Sequence, residues 1–105
     1  MADAHIGFRL SGQMALCTQV VPALRCVSML VEEESHQCAI YFCFEREPSA
    51  SERDCCHFAA TEVHANYPDW DVQETIEVTI PPEKPRLLPW TLYYRCEDDW
   101  MSPNA

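Results

Sequence analysis

Glycine is almost missing from this chain, with Gly7 and Gly12 the only two in 105 residues. No glycine-rich loop can therefore cradle a phosphate, which argues against nucleotide chemistry. Long hydrophobic runs are missing as well, and no apolar stretch approaches the roughly 18 residues that cross a bilayer. Met1 to Arg9 carries Asp3 and His5 in place of the basic start and apolar core of a secretion signal, so a soluble, cytoplasmic protein is expected. Internal repeats and low-complexity segments are absent. Basic residues are scarce, 7 Lys and Arg against 17 Asp and Glu, a formal net charge of -10. A surface of that sign is repelled by nucleic-acid phosphates and by anionic membranes, so direct binding to either is not expected.

The acid excess is larger than solubility requires and repels itself, and a basic protein partner would account for it. It is also grouped. Glu32, Glu33 and Glu34 form one run, Asp69, Asp71 and Glu74 a looser series that continues to Glu77, and Glu97, Asp98 and Asp99 a third. Trp70 lies between Asp69 and Asp71, and Trp100 follows Asp99. A tryptophan rimmed by carboxylates suits an Arg- or Lys-rich surface, because Trp is a frequent interface anchor and its ring face attracts cations. The plainer readings are that Glu32 to Glu34 is a solvated turn and that Trp70 plugs one end of the core. The carboxylates lack the spaced acid and glycine pattern of a calcium loop.

Seven cysteines, an odd number, read as reduced thiols filling core space rather than as a disulfide framework. Cys38 with Cys43, and Cys55 and Cys56 with His57, do not give the two close ligand pairs of a zinc module. No metal or cofactor is expected. Of the four histidines, His5, His36, His57 and His64, the last two are seven residues apart on one expected helix. Cys56 with His57 or His64 is the one dyad on offer, against the commoner reading of solvated helix-surface histidines.

Periodicity predicts a first helix over Gly7 to Val20, using Phe8, Leu10, Met14, Leu16, Cys17 and Val20 and stopped by Pro22. Alternation from Leu24 to Val31 predicts a strand, Glu32 to Gln37 a polar break, and Cys38 to Phe44 a second strand paired as a hairpin. Ser49 and Glu52 have the form of a capping box, opening a helix from Ala50 to Asn66 that turns Cys56, Ala59, Ala60, Val63 and Tyr67 to one face. Asp71 to Ile80 reads as a half-exposed strand with Ile76, Val78 and Ile80 inward. Pro81, Pro82, Pro85 and Pro89 make an irregular loop, and Trp90 to Cys96 a last strand. The expected fold is α+β, one domain over residues 1–105 in the order α-β-β-α-β-β. Its four-stranded, mainly antiparallel sheet carries two helices on one face and leaves the other partly open.

Ala15-Leu16, Val21-Pro22-Ala23-Leu24-Arg25, Tyr41-Phe42 to Phe44, Glu47-Pro48-Ser49, Thr61-Glu62-Val63, Pro68-Asp69 and Tyr94-Arg95-Cys96-Glu97 together resemble the small bacterial immunity proteins of contact-dependent growth inhibition and other polymorphic toxin systems. The resemblance spans most of the chain and transfers no binding residues. It implies a non-enzymatic inhibitor that occludes a cognate toxin, with a basic nuclease the expected toxin on charge grounds. The partner-facing candidates are then Glu32, Glu33, Glu34, Asp69, Trp70, Asp71, Glu74, Glu97, Asp98, Asp99 and Trp100. Three other readings stay open: a nucleic-acid mimic that inhibits a basic host or phage protein, a small Cys and His enzyme, and a scaffold that forms a homodimer through a sheet edge.

Overall fold

The computed structural model describes residues 3–97, with side chains from His5 onward. Asp98, Asp99 and Trp100 lie outside the described residues. The elements run α1 (Asp3–Leu16), β1 (Leu24–Glu32), β2 (Gln37–Phe44), α2 (Ala50–Asn66), β3 (Asp71–Val78) and β4 (Trp90–Tyr94).

The strands form one mixed sheet in the order β3-β2-β1-β4. β1 pairs antiparallel with β2 and with β4, whereas β3 pairs parallel with β2 from Gln37↔Asp71 to Phe44↔Val78. Two of the three pairs are antiparallel as expected, and the parallel β2–β3 pair is the departure. Its cause is topological: β2 and β3 are joined through α2, and a helical crossover returns the chain to the end where the first strand began. β1 and β2 are central and almost wholly buried, while β3 and β4 form the edges and stay half exposed.

α1 buries Phe8, Ser11, Gly12, Ala15 and Leu16, the i, i+3, i+4, i+7, i+8 stripe of an amphipathic helix. The helix starts earlier than the expected Gly7 and stops at Leu16 rather than Val20, and of the apolar residues that suggested it Leu10, Met14, Cys17 and Val20 are exposed. Both glycines serve close packing. A Cβ on Gly12 would stand 2.7 Å from Leu92 Cδ1 and 3.0 Å from Met29 Cε, and one on Gly7 would run into the Tyr67 hydroxyl.

α2 has the predicted bounds. Ser49 Oγ accepts from the Glu52 N–H at 3.2 Å, and Glu52 Oε1 accepts from the Ser49 N–H at 2.8 Å, closing the capping box. Its buried residues, Cys56, Ala59, Ala60 and Val63, are small and join Phe8, Val27, Met29, Ile40 and Phe42 in the main core.

β3 turns Val72 and Ile76 toward that core, but Val78 and Ile80, expected inward, are exposed at 36% and 66%: Val78 is the last residue of the strand and Ile80 lies beyond it, and neither packs on the core. On the second side of the sheet, Cys26, Tyr41 and Cys43 form a smaller cluster with Leu88 and Tyr94. That side was expected to be partly open. The proline-rich loop folds back over it: the Leu88 N–H donates to Ser28 Oγ at 2.9 Å, and the Arg86 guanidinium stands 4.7 Å from the Tyr41 ring centre.

All seven cysteines are free, and Cys26, Cys38, Cys43 and Cys56 are buried. Burial pushes the Cys38 and Cys56 thiols up to about 12, so both are packing groups. Among the described residues, no helix is long and apolar enough to cross a membrane.

Candidate functional site

Strand direction brings two acidic groups to one end of the sheet and four ion-paired arginines to the other, while Arg9 lies over the Trp90 ring, 4.5 Å from its centre, toward the acidic end. β1 ends at Glu32, β2 begins at Gln37, and β3 begins at Asp71 opposite Gln37. Two acidic groups 35 or more positions apart in sequence are thereby brought to one end of the sheet, as the numbering of Glu34 and Asp69 shows. The junction is direct: the Asp71 N–H donates to the His36 carbonyl at 2.9 Å. His36 closes the β1–β2 turn with φ 53°, a left-handed conformation that His tolerates better than most residues. Its imidazole stacks on the Trp70 ring at 4.9 Å.

Trp70 is half-buried. Phe8 meets the Trp70 ring edge-on at 4.7 Å between centres and in turn stacks on Tyr67 at 3.9 Å. The ring therefore fills the end of the core, as the plainer sequence reading had it, and at the same time backs the β1–β2 turn. His5 Nε2 reaches Glu33 Oε2 at 3.4 Å and adds the first helix to the same end. Glu32, Glu34, Asp69 and Asp71 are exposed around this frame. Like charges held together by backbone geometry repel, so the cluster costs the fold stability that other contacts must offset.

The opposite pole holds the paired cations. Arg25, 1% exposed, donates from Nε to Glu97 Oε2 and from Nη2 to Glu97 Oε1, both at 2.8 Å, and from Nη1 to the carbonyls of Thr79 at 2.7 Å and Glu83 at 2.8 Å. One guanidinium thus ties β1 to the end of β3, the proline-rich loop and the segment after β4. Arg95 bridges Glu45 at 2.8 Å and Glu97 at 3.1 Å. Arg46 pairs with Glu52 at 2.8 Å, and Arg53 pairs with Glu47. The Arg25 hydrogen bonds hold the Glu97 carboxyl below its ordinary range, against the opposing effect of burial. Arg46 and the Ser49 backbone bring Glu52 down to about 2.

The expected partner-facing residues are accordingly not one surface. Glu32, Glu33, Glu34, Asp69, Trp70 and Asp71 converge, and Glu74 continues along β3, where His57 Nδ1 meets its Oε1 at 2.8 Å. Glu97 stands at the far pole as the internal counter-ion of Arg25. His5 and His36 belong to the acidic pole and were not picked out from sequence; the only signal was the place of His36 in a turn next to an acidic run.

The Cys and His dyad gains nothing from the fold. Cys56 is buried with its thiol raised, the reverse of an activated nucleophile, and His57 is engaged with Glu74. Among the described residues, no group of three His, Cys, Asp or Glu side chains is arranged to hold a metal ion.

No curated protein matches the sequence. Residues 5–97 match the MafI2 immunity protein family, nearly the whole described chain, and the protein belongs to that family of immunity proteins.

Proposed function

We propose that the protein neutralises a cognate toxin by covering a basic surface of it with the acidic pole formed by Glu32, Glu33, Glu34, Asp69 and Asp71, and that the toxin is a nuclease. Membership of an immunity family supports the inhibitor role. The observation that carries the surface is the segregation of charge: Arg25, Arg46, Arg53 and Arg95 are engaged at one end, while two acidic groups distant in sequence are locked together at the other. Carboxylates left facing solvent on a rigid frame steer a basic partner and speed its encounter. A nuclease needs a basic surface for its phosphate substrate, so the same charges that bind nucleic acid would bind this pole. Inhibition by occlusion asks for no catalytic group on this chain.

The experiment is a growth test in cells that produce the toxin domain recovered by co-purification with this protein. Charge reversal at Glu34, Asp69 and Asp71 abolishes protection while melting stays close to that of the parent. Reversal of exposed Glu47 at the other pole leaves protection intact. Full protection by the Glu34, Asp69 and Asp71 variant would falsify the placement of the surface.

A further inference from the structure

The two edges of the sheet are built differently. β4 has five residues, follows Pro89, and shifts its register against β1 between Val27 and Ser28, all of which discourage an added strand. β3 has eight residues, Asp-Val-Gln-Glu-Thr-Ile-Glu-Val, with no proline, lysine or bulge and an unbroken register from Asp71 to Val78. Its guard is charge alone, the three carboxylates of Asp71, Glu74 and Glu77.

The register fixes which backbone groups are free. In a parallel pair, a residue that donates to the neighbouring strand also accepts from it, and its sequence neighbours point away. The Asp71 N–H donates to the His36 carbonyl and the Thr79 N–H to the Phe44 carbonyl, each at 2.9 Å. Residues 71, 73, 75, 77 and 79 therefore face β2, and Val72, Glu74, Ile76 and Val78 hold their N–H and C=O groups outward. Among the described residues β3 ends the sheet, so that row is a template for another strand.

Charge selects the occupant. Asp71 and Glu77 flank the row on one face of the strand and Glu74 on the other, by strand alternation. A second copy would line a single ladder with carboxylates from both chains and no cation, whereas Lys or Arg side chains on an incoming strand would meet opposite charge across the pair. We propose that the outer edge of β3 takes an extended Lys- or Arg-bearing segment of the toxin as an added strand. This rests on the toxin-binding reading and specifies how part of that contact is made. The open backbone row, continuous with the acidic pole through Asp71, carries the inference; the carboxylates only choose the sign of the partner.

The test follows amide hydrogen exchange of the full chain by NMR, with a synthetic peptide of alternating Lys and Val as probe. The peptide carries N-methyl groups on alternate residues, so that only one of its edges can pair and it cannot stack on itself. At nine-tenths occupancy the outward amides of Val72, Glu74, Ile76 and Val78 exchange about tenfold more slowly, because only the free fraction opens to solvent. A Glu-for-Lys version of the peptide has no effect. Glu74→Pro, which removes an outward N–H and spares the β2–β3 ladder, loses the protection, whereas Glu74→Ala keeps most of it.

Unchanged exchange at these amides with saturating Lys peptide overturns the inference, and so does equal protection by the Glu peptide. Slowing that grows with protein concentration in the absence of peptide assigns the edge to self-pairing and overturns it too. These readouts are independent of toxin neutralisation. A failed edge with intact sensitivity of growth protection to Glu34, Asp69 and Asp71 leaves the acidic-pole reading standing.

Discussion

The Asp71 N–H donates to the His36 carbonyl at 2.9 Å, and this one backbone bond joins the β1–β2 turn to the start of β3. Everything proposed for the acidic pole depends on it, since it holds Glu34 and Asp71 on one rigid end. The cross-chain frame is completed by the stacking of His36 on Trp70 and of Phe8 on Tyr67.

Trp70 should therefore matter to stability as well as to the surface. Trp70→Ala is expected to cost about 2 kcal/mol, less than the 3–5 kcal/mol typical of fully buried aromatics because the ring is half-buried. Chemical denaturation measures the loss. Exchange of the Asp71 amide should rise in the same variant, reporting a loosened turn.

Arg25 and Glu97 form the opposite case, an ion pair with side chains only 1% and 10% exposed. Arg25→Met or Glu97→Gln should each destabilise the fold by about 3–5 kcal/mol, since each strands a buried group without its partner. Replacing both with apolar residues should recover much of that loss. A thermal-melt comparison of the two single variants with the double one decides the matter.

Acid should erase the benefit of the Arg46–Glu52 pair in a defined window. The folded-state value of Glu52 is depressed from 4.5 to about 2, so its contribution is complete above 4.5 and is lost as the pH falls toward 2. Arg46→Met should melt below the parent at neutral pH, with the gap closing across that window. Melting temperature against pH, run on both proteins, measures it.

Gly7→Ala should destabilise despite alanine's gain of about 1 kcal/mol in helix propensity. The added methyl meets the Tyr67 hydroxyl, and that ring is held by its 3.9 Å stack on Phe8. A net loss of about 1–3 kcal/mol is the expected cost of overpacking. Tyr67→Phe in the same background, which removes the struck oxygen, should restore part of it.

Local chemistry was the most legible part of this sequence. Ser49 and Glu52 announced the start of α2 because a capping box is a contact within three residues, and Pro68 announced its end. The parallel pairing of β3 was within reach of the same reading, since α2 lies between two strands. What stayed hidden was set by long-range packing. Alternation placed Val78 and Ile80 inward, but alternation says only that two faces differ, not how far the cover over one of them extends. The acidic runs were visible, yet Glu97 and Asp71 look alike in sequence and have opposite fates, one paired with a buried arginine and the other exposed at the far pole. Only the fold distinguishes a carboxylate spent on stability from one left for a partner.

The most direct measurement of the central claim is the dissociation constant of the complex with the co-purified toxin domain as salt rises from about 50 to about 500 mM, where charge screening tightens severalfold. For the parent, affinity should fall steeply across that range. For the variant with Glu34→Lys, Asp69→Lys and Asp71→Lys, it should be weak at low salt and nearly flat. Equal affinities and equal salt slopes for the two proteins would contradict the account.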